Sequence, residues 1–178
     1  MKSKDQTAYD QALREMKKMR PDVAIAKGLL ERARMKGDLR ASYALGTWYL
    51  HGTGVRRNIS KAVALLREGA RGGVPSASFD LAVCFEQGVG VSINPRSAFR
   101  CFLEAALRGD TGALYEVGRC LYYGIGVVRD TRVAWIWLDR SRELAPSPNP
   151  IGRKKGGRDS RLRASTRPNA SRSSIRSR

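Results

Sequence analysis

The sequence contains a single histidine, His51, and only three cysteines, at positions 84, 101 and 120. A histidine-based zinc site or a Ser-His-Asp triad would have to use that one imidazole, and the cysteines are too scattered for a Cys-x-x-Cys ligand pair. A lone histidine beside a helix-ending glycine is typical of a surface residue, because a site needs several convergent groups. We therefore predict no catalytic residue, no metal ligand and no cofactor.

Long apolar runs are also missing. The uncharged stretch at residues 41–55 is too short and too rich in glycine to span a bilayer. No apolar run follows the first six residues, so we expect no signal peptide. The odd cysteine count without such a signal favours free thiols in a reducing compartment. The sequence thus predicts a soluble, cytoplasmic, non-enzymatic protein with no membrane contact and no small-molecule substrate.

Acidic side chains are scarce, with 16 Asp and Glu against 34 Lys and Arg, and the formal charge is +18. Half of that excess lies after residue 150, where ten basic residues stand against one acid. Three prolines between residues 145 and 150 break any helix, and the segment has too few apolar residues to offset chain entropy. We expect residues 145–178 to be a disordered basic tail.

Three hypotheses for this tail remain open. It could only solubilise the chain, it could pair with an acidic protein, or it could hold RNA or DNA phosphates in a salt-sensitive and sequence-blind way. The tail has no aromatic side chains to stack bases, which favours nonspecific contact. The residues assigned to phosphate or acidic-partner binding are Arg153, Lys154, Lys155, Arg158, Arg161 and Arg163.

What the sequence does contain is a repeat. The motif Gly-x-Gly-Val recurs three times at a constant spacing of 36 residues. A fixed period of this size marks a stacked array of similar units, and such arrays more often grip partners than catalyse reactions. The glycines, which we assign to structural turns, are Gly52, Gly54, Gly88, Gly90, Gly124 and Gly126.

Each unit is predicted to be a helical hairpin. Ala41, Leu45 and Tyr49 fall at i, i+4 and i+8, which is one face of a helix, and Ala62 and Leu66 begin a second face. The intervening glycines permit positive φ where the first helix stops, and Asn or Asp follows as the N-cap of the second helix. A dinucleotide-binding loop is excluded, since that loop follows a strand and needs a third glycine.

The pattern Ala41…Leu45-Gly46…Tyr49…Gly52-x-Gly54-Val55…Asn58…Ala62…Gly73, with its two copies, resembles the Sel1-like repeat family. That resemblance implies an all-α, right-handed α/α solenoid related to tetratricopeptide arrays. We place a repeat domain at residues 1–144, with a divergent first unit at 5–38 that starts with a helix over 5–19. The repeats follow at about 39–74, 75–110 and 111–144.

The resemblance also implies that the first helices of the units line a concave surface that binds proteins. Positions on these helices that lie off the packing stripe differ between copies, as a surface freed from packing would, although a plain solvated face would do the same. Aromatic and arginine residues there favour binding. The candidate partner-binding residues are Ala44, Thr47, Trp48, Leu50, His51, Asp80, Val83, Glu86, Gln87, Glu116, Arg119, Tyr122 and Tyr123.

The second helices offer another candidate surface. Val63, Phe99 and Trp135 follow the repeated alanine, and the packing pattern predicts that this position points outward. An outward stripe of these side chains would be an exposed apolar patch, unless the tail or the end of the array covers it.

The function predicted from the sequence is a protein–protein interaction scaffold or adaptor. The resemblance admits a bacterial regulator or a cytoplasmic immunity protein that binds a toxin. The alternative is a protein associated with RNA or DNA, in which the arginine-rich tail supplies the affinity.

Overall fold

The structure, a computed structural model, describes residues 7–144. This part of the chain forms helices and loops, with no strand among its residues. The helices are α1 (Ala8–Met16), α2 (Val23–Met35), α3 (Leu39–His51), α4 (Ile59–Arg71), α5 (Pro75–Gln87), α6 (Pro95–Leu107), α7 (Thr111–Tyr123) and α8 (Thr131–Leu144).

The helices pack in chain order. Each one makes its extensive contacts with the helix before it and the helix after it. The pairs α1–α2, α3–α4, α5–α6 and α7–α8 form hairpins, and each hairpin stacks on the next. The predicted α/α solenoid is confirmed, since contacts that run only between neighbours define this architecture.

Glycine and asparagine fix the ends of the helices as predicted. Gly52, the C-cap of α3, has a φ of 78°, so it occupies the left-handed region that closes a helix without steric cost. Its backbone N–H donates to the carbonyl of Trp48. Asn58 then caps α4, and its side-chain oxygen accepts a hydrogen bond from the Lys61 N–H at 2.9 Å. The second repeat uses Gly88 and Asn94 in the same way, and the third uses Gly124 and the carboxylate of Asp130.

Small residues bring the paired helices together. The repeated alanines of both helices are 0–2% exposed, and large side chains fill the space beside them. In α6, Phe102 is 1% exposed and lies edge-on to Phe79 of α5, with ring centroids 5.4 Å apart. The buried alanines are Ala41, Ala77 and Ala113 in the first helices and Ala62, Ala98 and Ala134 in the second helices.

The glycine loops also pack against the unit that precedes them. A Cβ on Gly54 would lie 2.1 Å from a methyl group of Val23 in α2, and a Cβ on Gly90 would lie 2.4 Å from a methyl group of Ile59 in α4. A side chain would separate the loop from the helix, so both glycines are required by the contact. We call each such contact a junction: the first joins loop 52–58 to α2, the second joins loop 88–94 to α4, and the third joins loop 124–130 to α6.

The junctions show that the prediction of an outward apolar stripe was wrong for its first member. Val63 is only 5% exposed, because the loop of the following repeat covers it at Gly90. Phe99 is half-buried by packing against the core. Trp135 remains 40% exposed, since no further loop among the described residues packs on α8.

The first hairpin is shorter than the sequence predicted. Helix α1 spans Ala8–Met16, with Thr7 as its N-cap, rather than residues 5–19. The helix ends at Met16 with Lys17 as its C-cap. Glu15, in the last turn, accepts a hydrogen bond from the Asp22 N–H at 3.3 Å and pairs with Lys18, which ties the end of α1 to the start of α2. Asp22 then caps α2, as expected.

Residues 1–6 and 145–178 lie outside the described part of the chain. The predicted disorder of the tail and the roles of its arginines and lysines concern residues in that range. Among residues 7–144, every helix is too short and too polar to cross a membrane.

Candidate partner-binding face

The first helices α3, α5 and α7 carry the predicted binding residues, and we call their solvent-facing surface the α3–α5–α7 face. Between α3 and α5 this face contains a cavity of about 260 Å³. Arg57, Cys84 and Val89 complete its wall. The structure brings five of the predicted residues together around the cavity: Leu50, His51, Asp80, Val83 and Gln87.

Asp80 is the acidic residue that lines this cavity. Burial raises the pKa of its carboxyl above the ordinary value, and the nearby Asp110 adds to the rise. His51 and a hydrogen bond with Tyr43 act in the opposite direction. Burial also raises the pKa of the Tyr43 phenol, and the Asp80 charge contributes to this. A cationic or hydrogen-bond-donating group of a partner would stabilise the Asp80 carboxylate at this position.

Between α5 and α7 an ion network fills the corresponding groove. The Arg119 guanidinium binds the carboxylates of Glu86 and Glu116, and its Nε lies 2.6 Å from Glu116 Oε2. Burial alone would lower the pKa of Arg119, but the hydrogen bonds to both glutamates outweigh it and raise that pKa. Arg119 is therefore a fixed cation held by two acids, which orders this part of the face.

Aromatic rings cluster where α7 ends and α8 begins. Tyr122 lies edge-on to both Tyr123 and Trp135, with ring centroids 5.0 and 6.0 Å apart. The Arg129 guanidinium lies 5.9 Å from the Tyr122 ring centroid. Trp135 was not among the predicted partner-binding residues, yet it extends the aromatic surface from Tyr122 and Tyr123 onto α8.

Three predicted residues on α3 have structural contacts. Ala44 and Trp48 pack against the first hydrophobic core. The Thr47 hydroxyl donates to the Ala44 carbonyl at 2.8 Å. These residues lie on α3 but do not line the cavity, so they support the face rather than present free groups.

The thiols of the three cysteines are poorly reactive. All three cysteines, which lie within the described residues, are free. Burial raises the pKa of Cys84 and Cys101, and it raises the pKa of Cys120 to about 11. Thiols of this kind are protonated at neutral pH and are poor nucleophiles. Across residues 7–144, no three His, Cys, Asp or Glu side chains lie close enough to hold a metal ion.

Tyr43 is a residue of the face that the sequence analysis missed. Tyr43 was not among the candidate partner-binding residues. The signal that distinguishes Tyr43 is its hydroxyl together with an acid, Asp80, in the next repeat, since a buried phenol is usually hydrogen-bonded.

The fold and the face define a repeat protein of the α/α-solenoid class, built from hairpins of constant length. The Sel1 repeat model matches residues 39–74, 75–110 and 111–145. These matches cover more than half of the chain, so the chain belongs to the Sel1 repeat family.

Solved structures share the fold. The protein c5321 of Escherichia coli, a protective antigen of uropathogenic strains that displays an SLR fold, is 27% identical with a TM-score of 0.74. The match covers 78% of this chain and 30% of c5321, so the chain spans about a third of that protein's length.

Two shorter structures match most of their own length. A Sel1 repeat protein of Oxalobacter formigenes is 32% identical with a TM-score of 0.63, over 66% of this chain and 88% of that one. Cysteine-rich protein B of Helicobacter pylori is 20% identical with a TM-score of 0.53, over 67% of this chain and 91% of that one. None of the curated proteins matches the chain.

Proposed function

We propose that this chain is a non-enzymatic protein-interaction module that binds a partner protein through the α3–α5–α7 face. The proposal includes an adaptor, a bacterial regulator and an immunity protein that occludes a toxin, because each of these binds one protein through one surface. The observation that carries it is that the helices of one face hold a cavity at Leu50, His51 and Asp80, a fixed cation at Arg119 and an aromatic cluster at Tyr122.

These three features are of the kinds that form interface hot spots. Binding energy at interfaces concentrates in aromatic and arginine anchors around desolvated pockets. Here Arg119 and the tyrosines are half-buried and already held by ion pairs and ring contacts. Side chains that are fixed before binding lose little conformational entropy when a partner docks, which favours affinity.

The experiment is capture of cellular proteins on the immobilised full-length chain, followed by identification of retained proteins by mass spectrometry. The test variant carries His51→Ala, Gln87→Ala and Arg119→Ala on the face. A matched control carries Ser60→Ala, Arg96→Ala and Arg132→Ala, which are exposed positions in the first turns of the second helices. Circular dichroism confirms that both variants fold.

We expect the face variant to lose about 10-fold or more of the retained partner, since hot-spot truncations cost roughly 1–2 kcal/mol or more each. The control variant should retain the partner as the unchanged chain does. Equal retention by both variants would refute the proposal. If retention is instead abolished equally for all variants by moderate salt, and nucleic acid is recovered, binding through the basic tail is the better explanation.

A further inference from the structure

A second and larger cavity lies at the first junction, and it shares Arg57 with the cavity of the α3–α5–α7 face. It occupies about 780 Å³ between α2, loop 52–58 and the start of α4. Its volume lies within the range of small-molecule sites. Four basic side chains, Lys27, Arg56, Arg57 and Lys61, line it, and no Asp or Glu does.

The charges in this cavity are held in place but are not neutralised. Lys61 Nζ donates to the Tyr49 hydroxyl at 2.8 Å and lies 4.3 Å from the Tyr49 ring centroid. Arg57 Nε donates to the Leu50 carbonyl at 3.0 Å, which fixes the guanidinium at the cavity wall.

The acids near the cavity do not balance these cations. Lys27 has one acidic partner, Glu31 of α2, at 3.7 Å. Within residues 7–144, the guanidinium of Arg56 forms no ion pair or hydrogen bond. Four like charges around one space repel each other, so they raise the free energy of the folded chain unless an anion binds between them.

The other junctions show that the fold does not require these cations. One repeat later, Lys27, Arg56, Arg57 and Lys61 correspond to Val63, Ser92, Ile93 and Ser97, all uncharged. At the third junction the same positions are Phe99, Val128, Arg129 and Val133, with one cation. The glycine and valine of each loop are the same at all three junctions. The second junction has a cavity of about 370 Å³ with two arginines, Arg67 and Arg71, at other positions of α4, so the first junction carries the larger cavity and twice as many cations.

We propose that the first junction is a binding site for a small molecule that carries a diphosphate group. Arginine recognises phosphate oxygens with its planar array of donors, and lysine adds point charges. Lys27 is already paired with Glu31. Three cations, Arg56, Arg57 and Lys61, are therefore left to match the roughly three negative charges of a diphosphate near neutral pH, whereas one phosphate would leave a cation unbalanced. At about 780 Å³, the cavity also leaves room for an organic group beside the diphosphate.

The test must separate this site from the basic tail, which attracts anions without selectivity. The full-length chain labelled with ¹⁵N is titrated with inorganic pyrophosphate, and amide resonances are followed by NMR. The amides of Gly54, Arg56, Asn58 and Lys61 should shift and saturate together, with one dissociation constant. Absence of a saturating shift at these amides at millimolar pyrophosphate would overturn the proposal.

Two double variants, each of which removes two positive charges, test whether binding depends on this site or on the overall charge. Arg56→Gln with Lys61→Gln should weaken pyrophosphate binding at these amides by about 10-fold or more, because charge-assisted hydrogen bonds are lost. Arg32→Gln with Arg132→Gln removes the same charge from exposed positions elsewhere and should leave the affinity unchanged. Arg56→Glu, at an exposed position in the loop, provides a variant that should fold even if the pair does not. Equal weakening by both pairs would overturn the proposal, since overall charge would then explain the binding.

Two further titrations identify the ligand. If adenosine diphosphate binds more tightly than pyrophosphate, the organic group occupies the remaining cavity and the site takes nucleotides. If pyrophosphate binds as tightly or more tightly, the free diphosphate is the ligand. Sulfate binding with the same affinity as pyrophosphate would overturn the diphosphate assignment.

Discussion

The first and second junctions share a backbone and differ in their side chains. In both, a Gly-x-Gly-Val loop packs against the second helix of the preceding hairpin, and the second glycine has a φ of 64° or 70°. At the first junction the cavity is lined by four cations, whereas at the second junction Val63 is buried under the loop at the position of Lys27. The repeat therefore specifies how hairpins stack, while residues around the loop remain free to acquire another role.

The first and second junctions also differ in how tightly the loop packs against the preceding helix. A valine at position 63 closes the contact between α4 and the next loop, since it lies beneath Gly90. The lysine at position 27 leaves that contact open, with 36% of its side chain exposed. The cavity at the second junction is about 370 Å³, against about 780 Å³ at the first, so the apolar side chain narrows the junction and the charged one leaves it more accessible to water and ions.

The largest effect should come from the glycine that both junctions share. Gly54→Ala and Gly90→Ala each force a β-carbon into the preceding helix at a positive φ, so each should lower the free energy of unfolding by about 2–3 kcal/mol. Gly109→Ala is the control, because its φ is 95° but no atom lies within 4 Å of an added Cβ. That control should cost only about 1 kcal/mol of backbone strain. Urea unfolding measures all three, and equal costs would show that the junctions are not in close contact.

An exchange between the junctions should have the next largest effect. Val63→Lys places an ammonium group at a site that is 5% exposed, and should cost about 2 kcal/mol of stability. Lys27→Val at the open junction should change stability by no more than about 0.5 kcal/mol. Thermal unfolding of both variants tests this, and similar losses in the two would mean that the junctions do not differ in packing.

The smallest effect concerns Asp80, the half-buried acid of the α3–α5–α7 face, in contrast to the cations of the cavity at the first junction. Because burial raises the pKa of Asp80 in the folded chain, the protonated carboxyl stabilises the fold below the ordinary Asp value. This stability is lost as the pH rises through the raised pKa. Asp80→Asn, which keeps an acceptor for Tyr43, should therefore stabilise the chain at pH 7 by less than about 1 kcal/mol.

Melting temperatures of the unchanged chain and Asp80→Asn at pH 3 and pH 7 measure this effect. The difference between the two should be small at pH 3 and should favour the variant at pH 7. The same difference at both pH values would show that the Asp80 carboxylate carries no cost of burial.

The candidate binding residues were only partly foreseeable from the sequence. Comparison of equivalent positions in the repeats placed Leu50, His51 and Asp80 on one surface, because helical periodicity determines which side chains lie outside the stripe that packs against the neighbouring helix. It did not show that Tyr43 reaches Asp80, since that contact crosses from one repeat to the next. It also overlooked Arg56 and Lys61, although the change to Ser92 and Ser97 in the next repeat was visible.

The sequence by itself determined the hairpin, its length and its caps, because these depend on local signals: apolar spacing, positive-φ glycines and side-chain caps. Only the tertiary structure decided which side chains a neighbouring repeat covers, as it does Val63, and which remain open, as Lys27 and Trp135 do. The physical reason is that burial in a solenoid is settled by the stacking of successive units, and the pattern within one unit carries no direct record of what packs above it.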